Sequence, residues 1–319
     1  MSAKQNRILI FGAGVIGSMY AIRLIEAGFD VTLFARPNRF KTLRENGLQF
    51  KEKGTVKSIQ VNVIDTLEND DVYDFIFVTV RYDRSESALL ALKDNQSKNI
   101  VTMTNNPIGF SSWLDIVGNR LLPAFPGFGG QIKDGVLHAR FLPKIIAATV
   151  FGEINGEVTE RIENLAKLFK AAKLPYIIKK DMQAYLITHS VSDIAMMSVL
   201  YSENKIIDKK TARTRKMARK ITVTLKAYLM AIQKAGVSID PPILKMVLKF
   251  PNLFLDLFFM TWLRTKMVRD MMLSDYANNA NNEIVQLSND LMKFLSQDDI
   301  KSEKVLYMNK CPKKCSIRC

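Results

Sequence analysis

The sequence predicts an α/β fold, an open doubly wound sheet followed by an all-helical C-terminal domain, and three observations carry that expectation. A strand, a glycine turn and a helix open the chain. Short, continuously apolar runs then alternate with helical segments to about residue 180, the pattern of parallel strands covered on both faces. Beyond that point, from Met182 onward, the apolar residues fall almost wholly at helical spacing.

The opening stretch sets the chemistry. Ile8, Leu9, Ile10 and Phe11 read as a buried strand, and Met19, Ala21, Ile22, Leu24 and Ile25 recur at a 3.6-residue period up to Gly28. Between them lie Gly12, Ala13, Gly14, Val15, Ile16 and Gly17. In that spacing Gly12 permits a tight turn, Gly14 leaves space for a pyrophosphate, and Gly17 lets the helix pack closely on the sheet. The free N–H groups of the first helical turn, including those of Val15 and Ile16, favour phosphate. The stretch is read as a Rossmann-type dinucleotide site; the alternative is a purely structural glycine turn.

The next strand, Val31 to Phe34, runs into Ala35, Arg36, Pro37, Asn38 and Arg39. An NAD site usually carries an acid there for the ribose hydroxyls, so the expected cofactor is NADP(H). One Arg to phosphate contact contributes roughly 1.5 to 3 kcal/mol, about a ten- to hundredfold preference over NAD. The alternative makes Arg36 and Arg39 solvated loop charges.

A short helix is expected over Asn38 to Asn46, then strands at Leu48 to Lys51 and Thr55 to Val63. Asp74 to Val80 is a parallel strand ending at Arg81, followed by a helix from Ser85 to Leu92. Ile100 to Thr104 is the next strand and terminates in Asn105, Asn106, Pro107, Ile108 and Gly109. Such ends matter because open parallel sheets bind ligands beyond their carboxyl edges. Asn106 could equally cap a turn. Val136 to Phe141 and Ile145 to Val150 are read as antiparallel strands finishing the sheet, Glu157 to Ala172 as a helix, and Tyr176 to Ile178 as a strand.

The expected domains are residues 1–180, an NADP-binding Rossmann-type domain, and 181–300, a helical substrate or dimerisation domain. Residues 301–319 form a basic tail holding Cys311, Cys315 and Cys319, a spacing that matches no common zinc or iron-sulfur site. No metal is expected. The chain carries a net charge of +15, and residues 181–319 hold 22 Lys and Arg against 13 acids. The densest run, Lys205 to Lys226, suits nucleic acid or an acidic membrane surface in principle. Its apolar residues Met217, Ile221, Thr224, Leu225 and Tyr228 fall at helical spacing, which favours a solvated helix face. Ile243 to Leu263 is strongly apolar, but Lys245, Lys249, Pro251 and Asp256 interrupt it, so a buried helix pair broken at Pro251 is expected rather than an integral membrane span. Peripheral membrane contact stays a lesser alternative. The glycine-broken run behind Lys4 and Arg7 is a strand rather than a signal peptide, giving a cytoplasmic expectation.

With Gly12 to Gly17, Arg36, Arg81, the Asn106 to Gly109 turn, the helix from Met182 and the stretch Met271 to Glu283 in place, the chain resembles the ketopantoate reductase (2-dehydropantoate 2-reductase) family up to about Ile300. The resemblance implies NADPH-dependent reduction of an α-keto acid, ketopantoate among the substrates considered. It also implies a cofactor-binding and active-site role for Asn106, a cofactor-side cation at Arg81 in place of a lysine, and substrate contacts from Asp275 and Glu283. The family's proton-donating lysine falls at Tyr185 in this chain, with His189 at an asparagine position and Asp193 at another polar one.

The helix offers a replacement. Tyr185, His189 and Asp193 stand at i, i+4 and i+8 and share one face. Asp193 favours the imidazolium form, fitting His189 for proton donation, with Tyr185 as second choice. Packing residues on a helix are the plainer alternative, as an exposed helix charge is for Glu283. The functional expectation is an NADPH-dependent reductase of an α-keto acid or related carbonyl compound. The alternatives are an opine- or imine-type dehydrogenase, or a non-catalytic NADP-binding protein. The expected partner is a small keto-acid-type molecule, with no nucleic acid and with a homodimer left open.

Overall fold

The structure, a computed structural model, describes residues 6–127, 129–140, 148–201, 214–265 and 281–296. The chain divides into two compact units, Met1–Asn105 with Gly109–Gln183, and Asn106–Ile108 with Ala184–Cys319.

The first unit is built on an eight-stranded sheet. Its strands are β1 (Arg7–Phe11), β2 (Asp30–Phe34), β5 (Asn62–Ile64), β6 (Phe75–Val78), β7 (Ile100–Met103), β8 (Leu121–Phe125), β11 (Thr149–Phe151) and β12 (Tyr176–Ile178), in the order β12-β11-β8-β7-β6-β1-β2-β5. All neighbours are parallel except β8 and β11. Ile8, Leu9, Ile10, Ile76, Phe77, Ile100 and Val101 are fully buried, which is why these strands read as unbroken apolar runs. From β1 the chain crosses to β2 on one side and returns to β6 on the other. The carboxyl end of β1 is therefore a topological switch point, where open α/β sheets hold their ligands.

The helices α1 (Val15–Glu26), α2 (Pro37–Asn46), α3 (Ser85–Ala91), α4 (Ser111–Val117) and α5 (Glu160–Ala171) complete this unit. In α1 the residues Met19, Tyr20, Ala21, Ile22 and Leu24 are buried. α5 starts three residues later than expected. Asn155 Oδ1 accepts from the Glu157 N–H at 3.1 Å in a turn with Gly156 at φ 76°, an alternative to helix that this Asn side chain stabilises.

Two strand expectations are corrected. Val136 to Phe141 does not finish the main sheet: β10 (Val136–Arg140) lies in a second, four-stranded sheet ordered β4-β3-β10-β9 with β3 (Leu48–Glu52), β4 (Thr55–Ile59) and β9 (Gly129–Lys133). The Asp134-Gly135 turn, with both φ angles positive, folds β10 back on β9, and Leu137 then registers in parallel with Phe50. Thr55 to Val63 is not one strand either. It breaks after Ile59, because β4 pairs with β3 while β5 crosses to the edge of the main sheet beside β2. Of Ile145 to Val150, residues 145–147 lie outside the described ones; β11 begins at Thr149.

The second unit is helical among the described residues: α6 (Met182–Tyr201), α7 (Arg215–Lys234), α8 (Ile243–Lys249), α9 (Asn252–Trp262) and α10 (Asn281–Ser296). The first two residues of α6, Met182 and Gln183, belong to the first unit. In α7 Met217, Ile221, Leu225 and Tyr228 are buried while Arg215, Lys216 and Arg219 are exposed. Lys205 to Arg213, Asp275 and the cysteine tail lie outside the described residues. The apolar run breaks into α8 and α9 at Pro251, but the pair is not buried. Ile243, Phe254 and Phe258 are 63%, 60% and 56% exposed. The correction has a physical cause: α9 turns Leu255, Asp256 and Phe259 inward and leaves the opposite stripe uncovered. No helix among the described residues is long and apolar enough to cross a membrane.

Candidate active site

The glycine loop leaves β1 with Gly12 at φ 119°, a conformation that disfavours any side chain. Gly17 is fixed by space. A Cβ there would stand 1.9 Å from the Gly12 carbonyl oxygen and 2.6 Å from Thr79 Oγ1. Gly14 is the opposite, since a Cβ on it would meet nothing within 4 Å. The loop is thus closed toward the sheet at Gly17 and open outward at Gly14, as a phosphate cradle requires. Thr79, beyond the end of β6, donates from Oγ1 to the Gly12 carbonyl at 2.8 Å and from its N–H to the Phe11 carbonyl at 3.0 Å. Sequence reading did not single it out; its only signal was its place at the carboxyl end of a buried strand.

At the end of β2, the Ala35 N–H is held by the Ile64 carbonyl at 2.9 Å. Arg36 occupies the N-cap position of α2 and is exposed, and its carbonyl accepts from the Phe40 N–H at 2.8 Å. Arg39 is drawn closer to the loop. Its Nε donates to the Ala13 carbonyl at 3.4 Å and its Nη1 to the Gly135 carbonyl at 3.2 Å, while Nη2 is buried without a hydrogen-bond partner among the described residues. Burial lowers its pKa from the ordinary guanidinium value. One arginine therefore ties the β9–β10 turn to the glycine loop and keeps a donor in reserve. Arg81 is exposed, after β6, at the start of a short 3-10 turn from Tyr82 to Arg84.

These features fit a dinucleotide: an open face at Gly14, a helix N-terminus whose N–H groups include those of Val15 and Ile16, and an orphaned guanidinium nitrogen nearby.

In the second unit α6 is apolar nearly all round, with Leu186, Ile187, Val191, Ile194 and Ala195 fully buried. Its polar face is as spaced in the sequence. The Tyr185 and His189 rings lie 6.0 Å apart between centroids, and His189 Nδ1 stands 3.6 Å from Asp193 Oδ2. Tyr185 is held well above the ordinary phenol pKa, by burial first and then by the carboxylates of Asp240 and Asp193. It is consequently a neutral hydroxyl throughout the physiological range. Asp240 was missed by sequence reading. Its N–H donates to Thr188 Oγ1 at 3.2 Å, which brings a loop residue 52 positions away onto α6.

Asn106 belongs to this helical unit, is 1% exposed, and accepts from the Ile108 N–H at 3.1 Å. That bond is the turn its sequence context allowed. Glu283, in the first turn of α10, is 5% exposed, so it is not an exposed helix charge. Asp275 lies outside the described residues. Among the described residues no three His, Cys, Asp or Glu side chains gather as a metal ion would need.

Over 193 residues, 60% of this chain and 63% of the relative, the sequence is 24% identical to the 2-dehydropantoate 2-reductase of Archaeoglobus fulgidus. The chain thus spans under two thirds of that relative's length. Among solved structures, the 2-dehydropantoate 2-reductase of Geobacter metallireducens superposes with a TM-score of 0.71 at 18% identity, covering 95% of this chain and 97% of that one. A D-mandelate dehydrogenase solved with NADH and anilino(oxo)acetate gives 0.76 at 12% identity, covering 95% and 96%. At such identities these two likenesses establish the fold. Residues 8–125, from the glycine loop through Arg36, Arg81 and Asn106 to the end of β8, match the family described as ketopantoate reductase PanE/ApbA.

Proposed function

We propose that the protein is an NADP(H)-dependent reductase of an α-keto acid or a related carbonyl compound. The observation that carries the reading is the glycine loop at the switch point of the sheet, open at Gly14 and flanked by Arg36 and Arg39 where an NAD site would carry an acid. The family of residues 8–125 and the keto-acid chemistry named for its relatives support it. Arg36 and Arg39 would hold the 2′-phosphate, and the N–H groups of the first turn of α1 the pyrophosphate. NADPH, when bound, supplies a hydride for the carbonyl carbon. The balance is keto acid plus NADPH plus a proton, giving hydroxy acid plus NADP+.

The proton is the chain's own contribution. His189 would donate it to the carbonyl oxygen, with its ring held 3.6 Å from Asp193 Oδ2 through Nδ1. Tyr185, a neutral phenol that its buried setting makes harder still to ionise, would donate a hydrogen bond to the oxygen. Asn106, Asp275 and Glu283 orient the substrate, and Arg81 adds positive potential on the cofactor side. Domains of about 1–180 and 181–300 divide these tasks between cofactor and substrate.

The test is NADPH oxidation with ketopantoate and a panel of other α-keto acids, each with and without an amine, beside a tryptophan-fluorescence titration of NADPH. Turnover above roughly 1 per second with a keto acid alone supports the reading. Turnover only with an amine would assign imine reduction instead. Tight NADPH binding with no turnover across the panel would make the protein a cofactor-binding one.

A further inference from the structure

Helix α9 is amphipathic in the reverse sense. Its one acid, Asp256, is 3% exposed, with Oδ2 3.3 Å from Arg219 Nη1 and Oδ1 without a hydrogen-bond partner among the described residues. Its outward stripe is Leu253, Phe254, Leu257 and Phe258, at i, i+1, i+4 and i+5, 46% to 60% exposed. Burying a carboxylate while exposing two phenylalanines is unfavourable for a helix that faces water alone.

The stripe continues beyond α9. Across the Pro251 break, Phe250 at the end of α8, and Met246 and Ile243 within it, are 43%, 46% and 63% exposed. On α7, which packs against α9, Val223 and Met230 are 42% and 55% exposed. Arg219 and Lys226 alternate with them in the order 219, 223, 226, 230. Arg219 reaches Asp256, and Lys226 Nζ donates to the Phe250 carbonyl at 2.6 Å, so both sit beside α9. Lys245 and Lys249 of α8 are exposed as well. From residue 214 to 265 the chain has nine Lys and Arg against two acids, Asp240 and the inward Asp256. Among the described residues, the helices that carry the apolar stripe are therefore basic and nearly free of acid.

We propose that this face of α7, α8 and α9 docks on an anionic lipid surface as a peripheral, in-plane anchor. Aromatic and aliphatic side chains would enter the headgroup boundary while lysines and arginines meet the lipid phosphates, the arrangement of interfacial amphipathic helices. The one-signed rim selects this occupant over a second copy of the chain, because face-to-face copies would set lysine against lysine. It also selects lipid over nucleic acid, whose phosphates would meet the phenylalanines. The docking is separate from the reductase reading and stands or falls without it.

Flotation of the full chain with vesicles of phosphatidylcholine, alone or mixed with phosphatidylglycerol, tests the proposal. The protein floats with the mixed vesicles, and raised salt weakens the association. Phe254→Ser with Phe258→Ser, and separately Lys245→Glu with Lys249→Glu, each lower the partition about tenfold or more. Lys167→Glu with Lys170→Glu, the same charge change at exposed positions of α5 in the first unit, leaves it unchanged. An unaltered thermal midpoint and far-UV circular dichroism spectrum show that the variants are folded. The proposal is overturned if the wild type does not float, if the α5 pair loses as much as the α8 pair, or if sedimentation shows a dimer that the Phe254 and Phe258 changes dissolve without any vesicle binding.

Discussion

The glycine loop between β1 and α1 and the polar face of α6 are built by opposite means. In the loop, geometry dictates residue type: a Cβ at Gly17 would collide with the Gly12 carbonyl, and one at Gly14 would meet nothing. On α6 no backbone conformation dictates the residues at positions 185, 189 and 193, and most of the helix's burial comes from apolar residues such as Leu186, Ile187, Val191 and Ile194. The loop is therefore a constraint that chemistry can use. The α6 face is free to carry Tyr185, where the resembled family has lysine, at little cost to the fold. Residue type is thus fixed by local geometry in the loop and far less so on the polar face of α6.

The difference predicts where substitutions act. The largest effect falls on rate alone: His189→Ala lowers turnover about 10²- to 10⁴-fold, the range for a positioned general acid, with NADPH affinity and thermal midpoint kept. A loss of only a few fold would reduce the α6 face to packing. Gly17→Ala acts on structure first, costing about 3 kcal/mol or more, because loop and helix must move apart to admit the methyl group. Thermal unfolding and an NADPH titration should fall together; binding retained at a lowered midpoint would separate the loop's shape from its proposed task.

Arg36→Ala sharpens the cofactor side. It should weaken NADPH binding by about 1.5 to 3 kcal/mol while leaving NADH nearly unaffected. An equal loss for both nucleotides would withdraw the 2′-phosphate assignment. A smaller effect lies in the frame of the first unit. Burial opposes ionisation of Glu153, but hydrogen bonds from Arg161 Nη2 at 2.5 Å and from Thr159 outweigh it and hold the carboxyl below the ordinary carboxylate range. A depressed folded pKa gives stability that is fully present above the unfolded value of about 4.3 and lost as pH falls through the folded value. Glu153→Gln should therefore cost about 2 kcal/mol at pH 7, in a chemical denaturation series, and the gap should close as pH falls through the depressed folded value. A gap independent of pH would mean that shape rather than charge is at stake.

How much could be read from residues alone follows from the same contrast. β1, the glycine loop and α1 were legible because each is specified locally, by a run, a spacing and a period. The Asp134-Gly135 turn was equally local, but the pairing of Leu137 with Phe50 was not, and it moved β10 out of the main sheet. The two halves of Thr55 to Val63 share one alternating pattern yet join different sheets, which no window of sequence distinguishes. At the site, the spacing of Tyr185, His189 and Asp193 forecast a shared face. Thr79 and Asp240 were hidden because their contacts span 67 and 52 positions. The exposure of α9 was hidden for another reason: composition marked the run as apolar, but only packing decides which side the apolar residues occupy.

The most direct test of the central claim follows the hydrogen. NADPH carrying deuterium at the transferable position of C4 is incubated with ketopantoate and other keto acids, and the products are examined by mass spectrometry for wild type and His189→Ala. The account predicts a hydroxy acid with one deuterium at the former carbonyl carbon, formed by the wild type and about a hundredfold or more slower by the variant. Unlabelled keto acid recovered beside fully bound NADPH, across the whole panel, would contradict it.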